Sequence, residues 1–130
     1  MPKYRNILVI EDDKSSAFLI QLLLRELNLV ESIAFAAHGE EGLDYLMRLK
    51  ANVSGYPEYI FLDLNMPIMD GFEFIEKCRQ LGCVDETKTR IIILTSSTHG
   101  KDVQHAKELG VAHYLNKPIS EEELLRVLGV

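Results

Sequence analysis

Short runs of apolar residues alternate along this chain with segments that carry apolar residues at helical spacing, and this alternation restricts the fold most strongly. Runs that are apolar at every position are typical of strands covered on both faces, as in a parallel sheet. The strand-like runs are Ile7–Ile10, Ile33–Ala37, Tyr59–Leu62, Ile91–Leu94 and Ala112–Leu115. The run at 33–37 is weaker than the other three apolar runs, and the run at 112–115 is a fifth candidate.

Between these runs, apolar residues recur every three or four positions, which is the spacing of one helical face. The stripes are Ile20–Leu27, Leu43–Leu49, Phe72–Cys78, Val103–Leu109 and Leu124–Leu128. Strand–helix alternation implies parallel strands joined by right-handed crossovers. We therefore predict an α/β fold, a flavodoxin-like doubly wound (βα)5 sandwich whose five-stranded parallel sheet has the order 2-1-3-4-5, with helices on both faces.

Length and composition limit the classes of protein that this chain fits. Its 130 residues, 47% of them hydrophobic, predict a single domain over residues 1–130 with no output domain. No signal peptide or bilayer-length apolar run is visible, so we expect a cytoplasmic protein without membrane contact. The net charge of −6 argues against direct nucleic-acid binding because phosphates repel an acidic surface. Cys78 and Cys83 are expected to be ordinary reduced thiols.

Polar side chains follow the predicted strands at their carboxyl ends. They are Glu11, Asp12 and Asp13 after the first strand, Asp63 after the third, Thr95 after the fourth, and Lys117 after the fifth. In the order 2-1-3-4-5 the winding reverses between the first and third strands, and ligands of such sheets bind outside the carboxyl ends at that point. We therefore expect Asp12, Asp13 and Asp63 to meet in one crevice.

Three carboxylates in one crevice repel each other unless a positive charge compensates them. Mg²⁺ fits this need because it prefers oxygen ligands and requires only one or two carboxylates besides waters and a phosphate. Lys117 supplies a mobile positive charge suited to a phosphoryl group, and Thr95 supplies a hydroxyl. A metal, a lysine and a hydroxyl around one carboxylate predict a site for phosphoryl transfer, where catalysis is mostly positioning and charge neutralisation.

Five motifs of this chain resemble those of the response-regulator receiver family of two-component signalling, and in particular its single-domain, chemotaxis-regulator-like members. The motifs are Glu11–Asp13, Leu62–Pro67, Met69–Gly71, Leu94–Ser96 and Tyr114–Pro118. Each motif alone is a weak signal, but all five occur in order at the ends of the predicted strands. The resemblance runs over nearly the whole chain.

The resemblance implies that Asp63 accepts a phosphoryl group from the phosphohistidine of a sensor histidine kinase or of a histidine phosphotransfer protein. It implies that Asp13, Asp63 and the backbone carbonyl of Asn65 bind Mg²⁺ directly, with Asp12 helping through a bound water. The protein would then be a signalling phosphoacceptor that catalyses only its own phosphorylation and dephosphorylation, rather than an enzyme.

The resemblance also implies how the phosphorylated state is read. Lys117 would pair with the acceptor carboxylate and then with the phosphoryl oxygens. Thr95 would move to hydrogen-bond the phosphoryl group, and Tyr114 would change rotamer in step. The two residues would thereby alter the face built from the fourth helix, the fifth strand and the fifth helix, which controls an unknown downstream protein. The Lys117–Pro118 peptide bond would be cis.

Other interpretations of these residues remain open at this stage. Asp12 and Asp13 also suit the start of a helix, where acidic residues favour the dipole. A dehalogenase-like phosphatase uses a strand-end aspartate too, but requires a second aspartate where this chain has Asn65. A nucleotide- or flavin-binding module needs a glycine- or hydroxyl-rich loop after the first strand. A docking module that works without phosphorylation, or a receiver fragment of a larger signalling protein, is the final alternative.

Apolar residues on the first predicted helix extend beyond one stripe. Phe18, Leu19 and Leu22 widen its apolar surface. The simpler explanation is core packing, and the other is a surface on which a kinase docks, which the resemblance places near this helix.

Overall fold

The computed structural model of this protein describes residues 4–49, 56–96, 100–111 and 113–129, and within them strands and helices alternate strictly. The elements are β1 (Tyr4–Ile10), α1 (Lys14–Leu27), β2 (Val30–Ala36), α2 (Gly39–Leu49), β3 (Tyr59–Asp63), α3 (Gly71–Leu81), β4 (Arg90–Thr95), α4 (Gly100–Glu108), β5 (His113–Asn116) and α5 (Glu121–Val127). Residues 50–55, and Ala112 at the predicted start of the fifth strand, lie outside the described residues.

The strands form one five-stranded parallel sheet in the order β2-β1-β3-β4-β5. The predicted doubly wound α/β fold is therefore confirmed. The order places β1 beside β3, with Ile10 opposite Leu62 in the register. Because both strands run the same way, the residues that follow them emerge side by side at the carboxyl edge of the sheet.

The sheet separates two hydrophobic cores, one on each face. The first core packs α2, α3 and α4 against the sheet around Leu8, Ile60, Leu62 and Ile93. The second core packs α1 and α5 against the opposite face, around the intervening strand residues such as Val9 and Phe61. Successive residues of a strand point to opposite faces, so strands buried on both sides must be apolar throughout. This explains why the central strands read as continuous apolar runs.

Capping interactions hold the helices at defined starting points near the carboxyl edge. Asp70 and Glu73 form a reciprocal capping box at the start of α3, and Ser120 caps the start of α5. A cap fixes where each helix begins and thereby fixes the length of the loop before it. No helix in the described part of the chain is long and apolar enough to cross a membrane.

Candidate functional site

Carboxylates from two neighbouring strand ends meet at the carboxyl edge of the sheet. Glu11 directly follows β1, where its backbone N–H donates to the carbonyl of Ala36 at 3.0 Å and continues the line of the strand. Asp63 is the last residue of β3. One carboxylate oxygen from each of Glu11, Asp12 and Asp63 lies within 4.8 Å of the others. Glu11 and Asp63 are buried, whereas Asp12 is exposed at the mouth of the crevice.

Asp13, which the strand order was expected to bring into the same crevice, is not a member of this acidic group. It is the N-cap of α1, and its carboxylate accepts hydrogen bonds from the Ser15 backbone N–H at 3.3 Å and from the Ser16 hydroxyl at 2.8 Å. The hydrogen bond from Ser16 is the main cause that lowers the pKa of Asp13. The helix-start interpretation therefore describes Asp13, and the third carboxylate of the crevice is Glu11.

Negative charge is in excess inside this crevice. Burial raises the pKa of the Asp63 carboxyl to about 6, and its hydrogen bond with Glu11 adds to the increase. The pKa of Asp12 is also raised, first by loss of solvent and then by its hydrogen bond with, and repulsion from, Asp63. A carboxyl pKa rises when the ionised form lacks sufficient compensation. The crevice therefore favours the arrival of a cation.

Lys117, from the loop after β5, provides part of that compensation. Its Nζ lies 2.5 Å from Glu11 Oε1 and 3.3 Å from Asp63 Oδ1. Burial alone would lower the pKa of this lysine, but the two carboxylates outweigh burial and the pKa of Lys117 is raised. The Lys117–Pro118 peptide bond is cis, as the resemblance implied. One ammonium group faces three carboxylates here, so the group keeps a net negative charge.

A chain of hydrogen bonds connects Asp63 to Tyr114 on β5. The backbone N–H of Asn65 donates to Asp63 Oδ1 at 3.3 Å, and the Asn65 side-chain amide donates to Thr95 Oγ1 at 3.2 Å. Thr95 is fully buried at the end of β4 and shares a side-chain hydrogen bond with Tyr114. Burial raises the pKa of the Tyr114 phenol, and the bond with Thr95 works in the opposite direction. A change at Asp63 can therefore reach Tyr114 through direct contacts.

The loop from Asp63 to α3 is tightly turned. The Gly71 N–H donates to the Leu64 carbonyl at 2.8 Å, and a Cβ at Gly71 would lie 2.9 Å from the Asp63 carbonyl oxygen. Ile68, at the tip, has a φ of 72° and is 95% exposed. A β-branched residue rarely adopts positive φ, so this residue holds local backbone strain next to the site.

The donor set of the crevice fits a hard divalent cation such as Mg²⁺. Glu11, Asp12 and Asp63 supply only oxygen atoms, and oxygen is the ligand that Mg²⁺ prefers. The raised pKa values of Asp12 and Asp63 give the physical reason for binding, since a divalent cation would stabilise their ionised forms. Asn65 follows Asp63 closely enough on the β3–α3 loop to remain a candidate through its backbone carbonyl.

Fold and site together define a doubly wound α/β protein with an acidic, lysine-bearing crevice at the switch point of its sheet. Comparison with known families is consistent with this description, since the model of the response regulator receiver domain matches residues 7–129. The chain belongs to this family, whose members are receivers of two-component signalling.

Individual relatives agree with the family assignment. The chain is 32% identical to the transcriptional regulatory protein DltR of Streptococcus agalactiae over 92% of this chain and 48% of the relative. Among solved structures, a two-component response regulator from Cytophaga hutchinsonii is 28% identical, with a TM-score of 0.89 over 98% of this chain and 96% of the other. Chemotaxis protein CheY4 of Vibrio cholerae is 28% identical, with a TM-score of 0.79 over 97% of each chain. This chain thus spans about half the length of the DltR relative.

Proposed function

We propose that this protein relays a signal by accepting a phosphoryl group on Asp63. The observation that carries the proposal is the position of the Asp63 carboxylate, which is 97% buried at a strand end, 3.3 Å from the Lys117 ammonium and within 4.8 Å of two further carboxylates. A carboxylate in such surroundings is costly unless a ligand compensates it. A divalent cation together with a phosphoryl donor is the ligand pair that suits it.

The proposed reaction is a displacement at phosphorus. A carboxylate oxygen of Asp63 forms a bond to the phosphorus of a phosphohistidine, the P–N bond breaks, and the electron pair stays on the imidazole. Although burial raises the pKa of Asp63, a value of about 6 leaves the carboxylate mostly ionised near neutral pH, as a nucleophile must be. Lys117 then faces the developing negative charge with its ammonium group. The protein acts as a phosphoacceptor, because the group that becomes phosphorylated is its own Asp63 side chain.

We propose Mg²⁺ as the cofactor, held by Glu11, Asp12 and Asp63 with the backbone carbonyl of Asn65. Glu11 replaces Asp13 in this set because Asp13 is committed to capping α1. When bound, the cation supplies charge neutralisation between the carboxylates and the phosphoryl oxygens. The chain's own contribution is to keep the three carboxylates together at the carboxyl edge.

For the output, we propose that Thr95 and Tyr114 carry the state of Asp63 to the face built from α4, β5 and α5. A phosphoryl group on Asp63 would accept a hydrogen bond from the Thr95 hydroxyl and draw this hydroxyl away from the Asn65 amide, which now donates to it at 3.2 Å. Because Thr95 also bonds Tyr114, the tyrosine would respond to the loss of that arrangement. A downstream protein that binds this face would then distinguish the two states.

For the input, we propose that a cytoplasmic sensor histidine kinase or a histidine phosphotransfer protein docks over the exposed apolar residues of α1. Phe18 is 65% exposed and Leu22 is 43% exposed, so core packing does not explain them. Phe18 and Phe35 line a groove of about 400 Å³ that also reaches Glu11 and Asp12. An apolar patch beside the acceptor would orient the donor histidine toward the crevice.

Phosphorylation by a small donor such as acetyl phosphate, measured by intact mass against Mg²⁺ concentration, tests the site and the metal together. The protein should gain one phosphoryl group, and Asp63→Asn should gain none. Asp12→Asn should raise the Mg²⁺ concentration needed by about tenfold or more, as loss of groups around a metal commonly does. Asp13→Asn is the matched control, because asparagine caps a helix as well as aspartate and should leave the Mg²⁺ requirement unchanged.

If Asp13→Asn raises the Mg²⁺ requirement and Asp12→Asn does not, the proposed ligand set is wrong. If chelation of divalent cations leaves the yield unchanged, the proposed cofactor is wrong.

Docking is tested separately from chemistry by comparing two donors. Phe18→Ala should slow phosphorylation by a phosphorylated histidine phosphotransfer domain but leave phosphorylation by acetyl phosphate unchanged. Leu81→Ala, at an apolar side chain that is 39% exposed at the far end of α3, is the control and should affect neither. Equal slowing with both donors would show that Phe18 supports the site and would refute its role in docking.

The proposal treats residues 1–130 as one receiver domain. It applies equally to an independent protein and to the receiver segment of a longer one. A docking module that works without phosphorylation is the second candidate, and the absence of any mass increase in the wild-type protein would favour it.

A further inference from the structure

Two cysteines meet at the carboxyl end of α3, which is the opposite end of the helix from Gly71 and the acidic crevice. The helix ends in a Schellman motif, in which Gly82 has a φ of 61°. Its N–H donates to the Arg79 carbonyl at 3.2 Å, and the Cys83 N–H donates to the Cys78 carbonyl at 3.2 Å. This motif folds the chain back so that the residue after the glycine contacts the helix residue five positions earlier. The contact is usually a pair of apolar side chains, and here both are cysteines.

The two thiols are in direct contact inside the core. Cys78 Sγ and Cys83 Sγ lie 2.6 Å apart, and the two side chains are 2% and 1% exposed. Both belong to the core between the sheet and α2, α3 and α4, where Tyr56 packs against the same cluster. Both are free thiols. The reversal of the chain at Gly82 therefore brings together two cysteines that were expected to be ordinary reduced thiols.

Neighbouring contacts restrain the segment that carries Cys83. Arg79 makes a two-pronged ion pair with Glu86, its Nε and Nη2 lying 3.0 Å and 2.9 Å from the two carboxylate oxygens. The same Nη2 donates to the Leu109 carbonyl just after α4. The pair with Glu86 holds the loop after α3 against the helix and so helps to keep Cys83 beside Cys78 without a covalent bond. The bond to Leu109 ties the end of α3 to the end of α4.

We propose that Cys78 and Cys83 form a reversible intramolecular disulfide when the protein meets a low-molecular-weight disulfide. In the first step, the thiolate of one cysteine attacks the small disulfide, forms a mixed disulfide and releases one small thiolate. In the second step, the other cysteine attacks the protein sulfur of the mixed disulfide and releases the second small thiolate. The two cysteines lose two electrons and two protons in total, and the small disulfide is reduced to two thiols.

Burial makes this reaction slow but makes its product stable. The hydrogen bond with Cys83, and then burial, raise the pKa of the Cys78 thiol, so the nucleophilic thiolate is scarce in the closed helix end. Reaction therefore requires the end of α3 to open locally. Once formed, the bond constrains the unfolded chain while preserving a contact that the folded chain already makes. Oxidation should thus increase the resistance of the protein to denaturants.

The distance of this pair from the acidic crevice predicts that oxidation leaves phosphorylation intact. α3 begins at Gly71, close to Asp63, and Cys78 lies about 10 Å further along the helix axis at 1.5 Å per residue. The thiol pair therefore acts on the stability of the domain and not on the phosphoryl chemistry, and its test stands apart from that of the proposed function.

Incubation of the full chain with excess oxidised glutathione, followed by intact mass and thiol titration, tests the proposal. The expected product has lost two hydrogens, carries no glutathione and has no free thiol. Mild urea should speed its formation, and its urea midpoint should exceed that of the reduced protein. Cys83→Ala keeps the contact apolar but removes ring closure, so this variant should stop at a glutathione adduct on Cys78.

Three outcomes would overturn the proposal. One is a wild-type product that retains glutathione. Another is no change in mass either in buffer or in urea below the unfolding transition. The third is an oxidised protein with a lower urea midpoint than the reduced protein, since this would show that the native contact opposes the bond. Full reversal by dithiothreitol is expected and separates the disulfide from higher oxidation of the sulfurs.

Discussion

Removal of the acceptor charge should stabilise the metal-free protein. Asp63→Asn keeps the size of the side chain but removes a carboxylate that is buried beside Glu11 and Asp12. The shift of the Asp63 pKa from 3.8 to about 6 measures how much the fold disfavours the ionised form. At about 1.4 kcal/mol per pKa unit, this shift corresponds to an upper value of about 3 kcal/mol. We expect a gain of roughly 1–3 kcal/mol at pH 7, because the variant also loses the contact with Lys117.

The gain should depend on pH in a defined direction. Because the pKa of Asp63 is higher in the folded protein than in the unfolded chain, the folded state binds more protons between about pH 4 and pH 6. Wild-type stability attributable to this residue therefore increases as the pH falls through that window. The advantage of Asp63→Asn should be complete above about pH 6 and should disappear toward about pH 4.

Urea denaturation followed by circular dichroism, in the presence of a chelator, measures both effects. Asp85→Asn is the matched control. Asp85 is exposed and its pKa is lowered by hydrogen bonds from Thr87, so its removal should not stabilise the protein. A saturating concentration of Mg²⁺ should reduce the advantage of Asp63→Asn, since the cation compensates the same charge. An advantage that is absent at pH 7, or equal at pH 7 and pH 4, would refute the electrostatic account of the crevice.

Three further substitutions probe the surroundings of the acceptor. Lys117→Met leaves Glu11 and Asp63 facing each other without their ammonium partner. It should lower the free energy of unfolding at pH 7 by roughly 1–3 kcal/mol, which is less than the loss expected for a fully buried pair. An unchanged urea midpoint would contradict the ion pairing. Ile68→Asn should raise the free energy of unfolding by about 1 kcal/mol, since asparagine tolerates positive φ better than a β-branched residue; a loss of stability would show that the isoleucine makes a useful contact. Gly71→Ala should lower stability by roughly 1–3 kcal/mol and reduce phosphorylation by acetyl phosphate, because the added Cβ would press on the Asp63 carbonyl; normal yield and stability together would show that the loop relaxes freely.

Most of the fold could be predicted from the sequence because burial on both faces makes the central strands apolar throughout. The edge strand β2 was placed at Ile33–Ala37, but it begins at Val30 and ends at Ala36. An edge strand is partly solvated, and Glu31 and Ser32 interrupt its apolar run. Its boundaries are therefore set by hydrogen bonding to β1, which the apolar pattern does not report.

The members of the site were predicted less completely than its location. Asp12, Asp63, Thr95 and Lys117 all lie at the predicted edge, since each follows a recognisable strand. Glu11 was recognised as a polar residue after the first strand, but Asp12 and Asp13 were expected to join Asp63, whereas the acidic group consists of Glu11, Asp12 and Asp63. The signal that could have separated Glu11 from Asp13 is the presence of Ser15 and Ser16. An aspartate at the N-cap position 13 accepts hydrogen bonds from the Ser15 backbone N–H and the Ser16 hydroxyl.

The contact between Cys78 and Cys83 could not be predicted from the spacing of apolar residues along α3. Residues five apart, such as Cys78 and Cys83, do not share one face of a helix, but the chain leaves the helix at Gly82. A glycine at the end of an apolar stripe predicts a Schellman motif, and that motif brings the flanking positions together. Contacts made across a helix end are thus predictable from the capping residue rather than from the helical repeat.

Reductive trapping of the phosphorylated protein tests the central claim most directly. After treatment with acetyl phosphate and Mg²⁺, borohydride reduces an aspartyl phosphate to homoserine, and peptide mass spectrometry then locates the converted residue. We expect homoserine at position 63 and no reduced side chain at any other acidic position, including Glu11, Asp12 and Asp13. Conversion at another carboxylate, or a phosphoryl group found on a residue other than an aspartate, would contradict the identification of Asp63 as the acceptor.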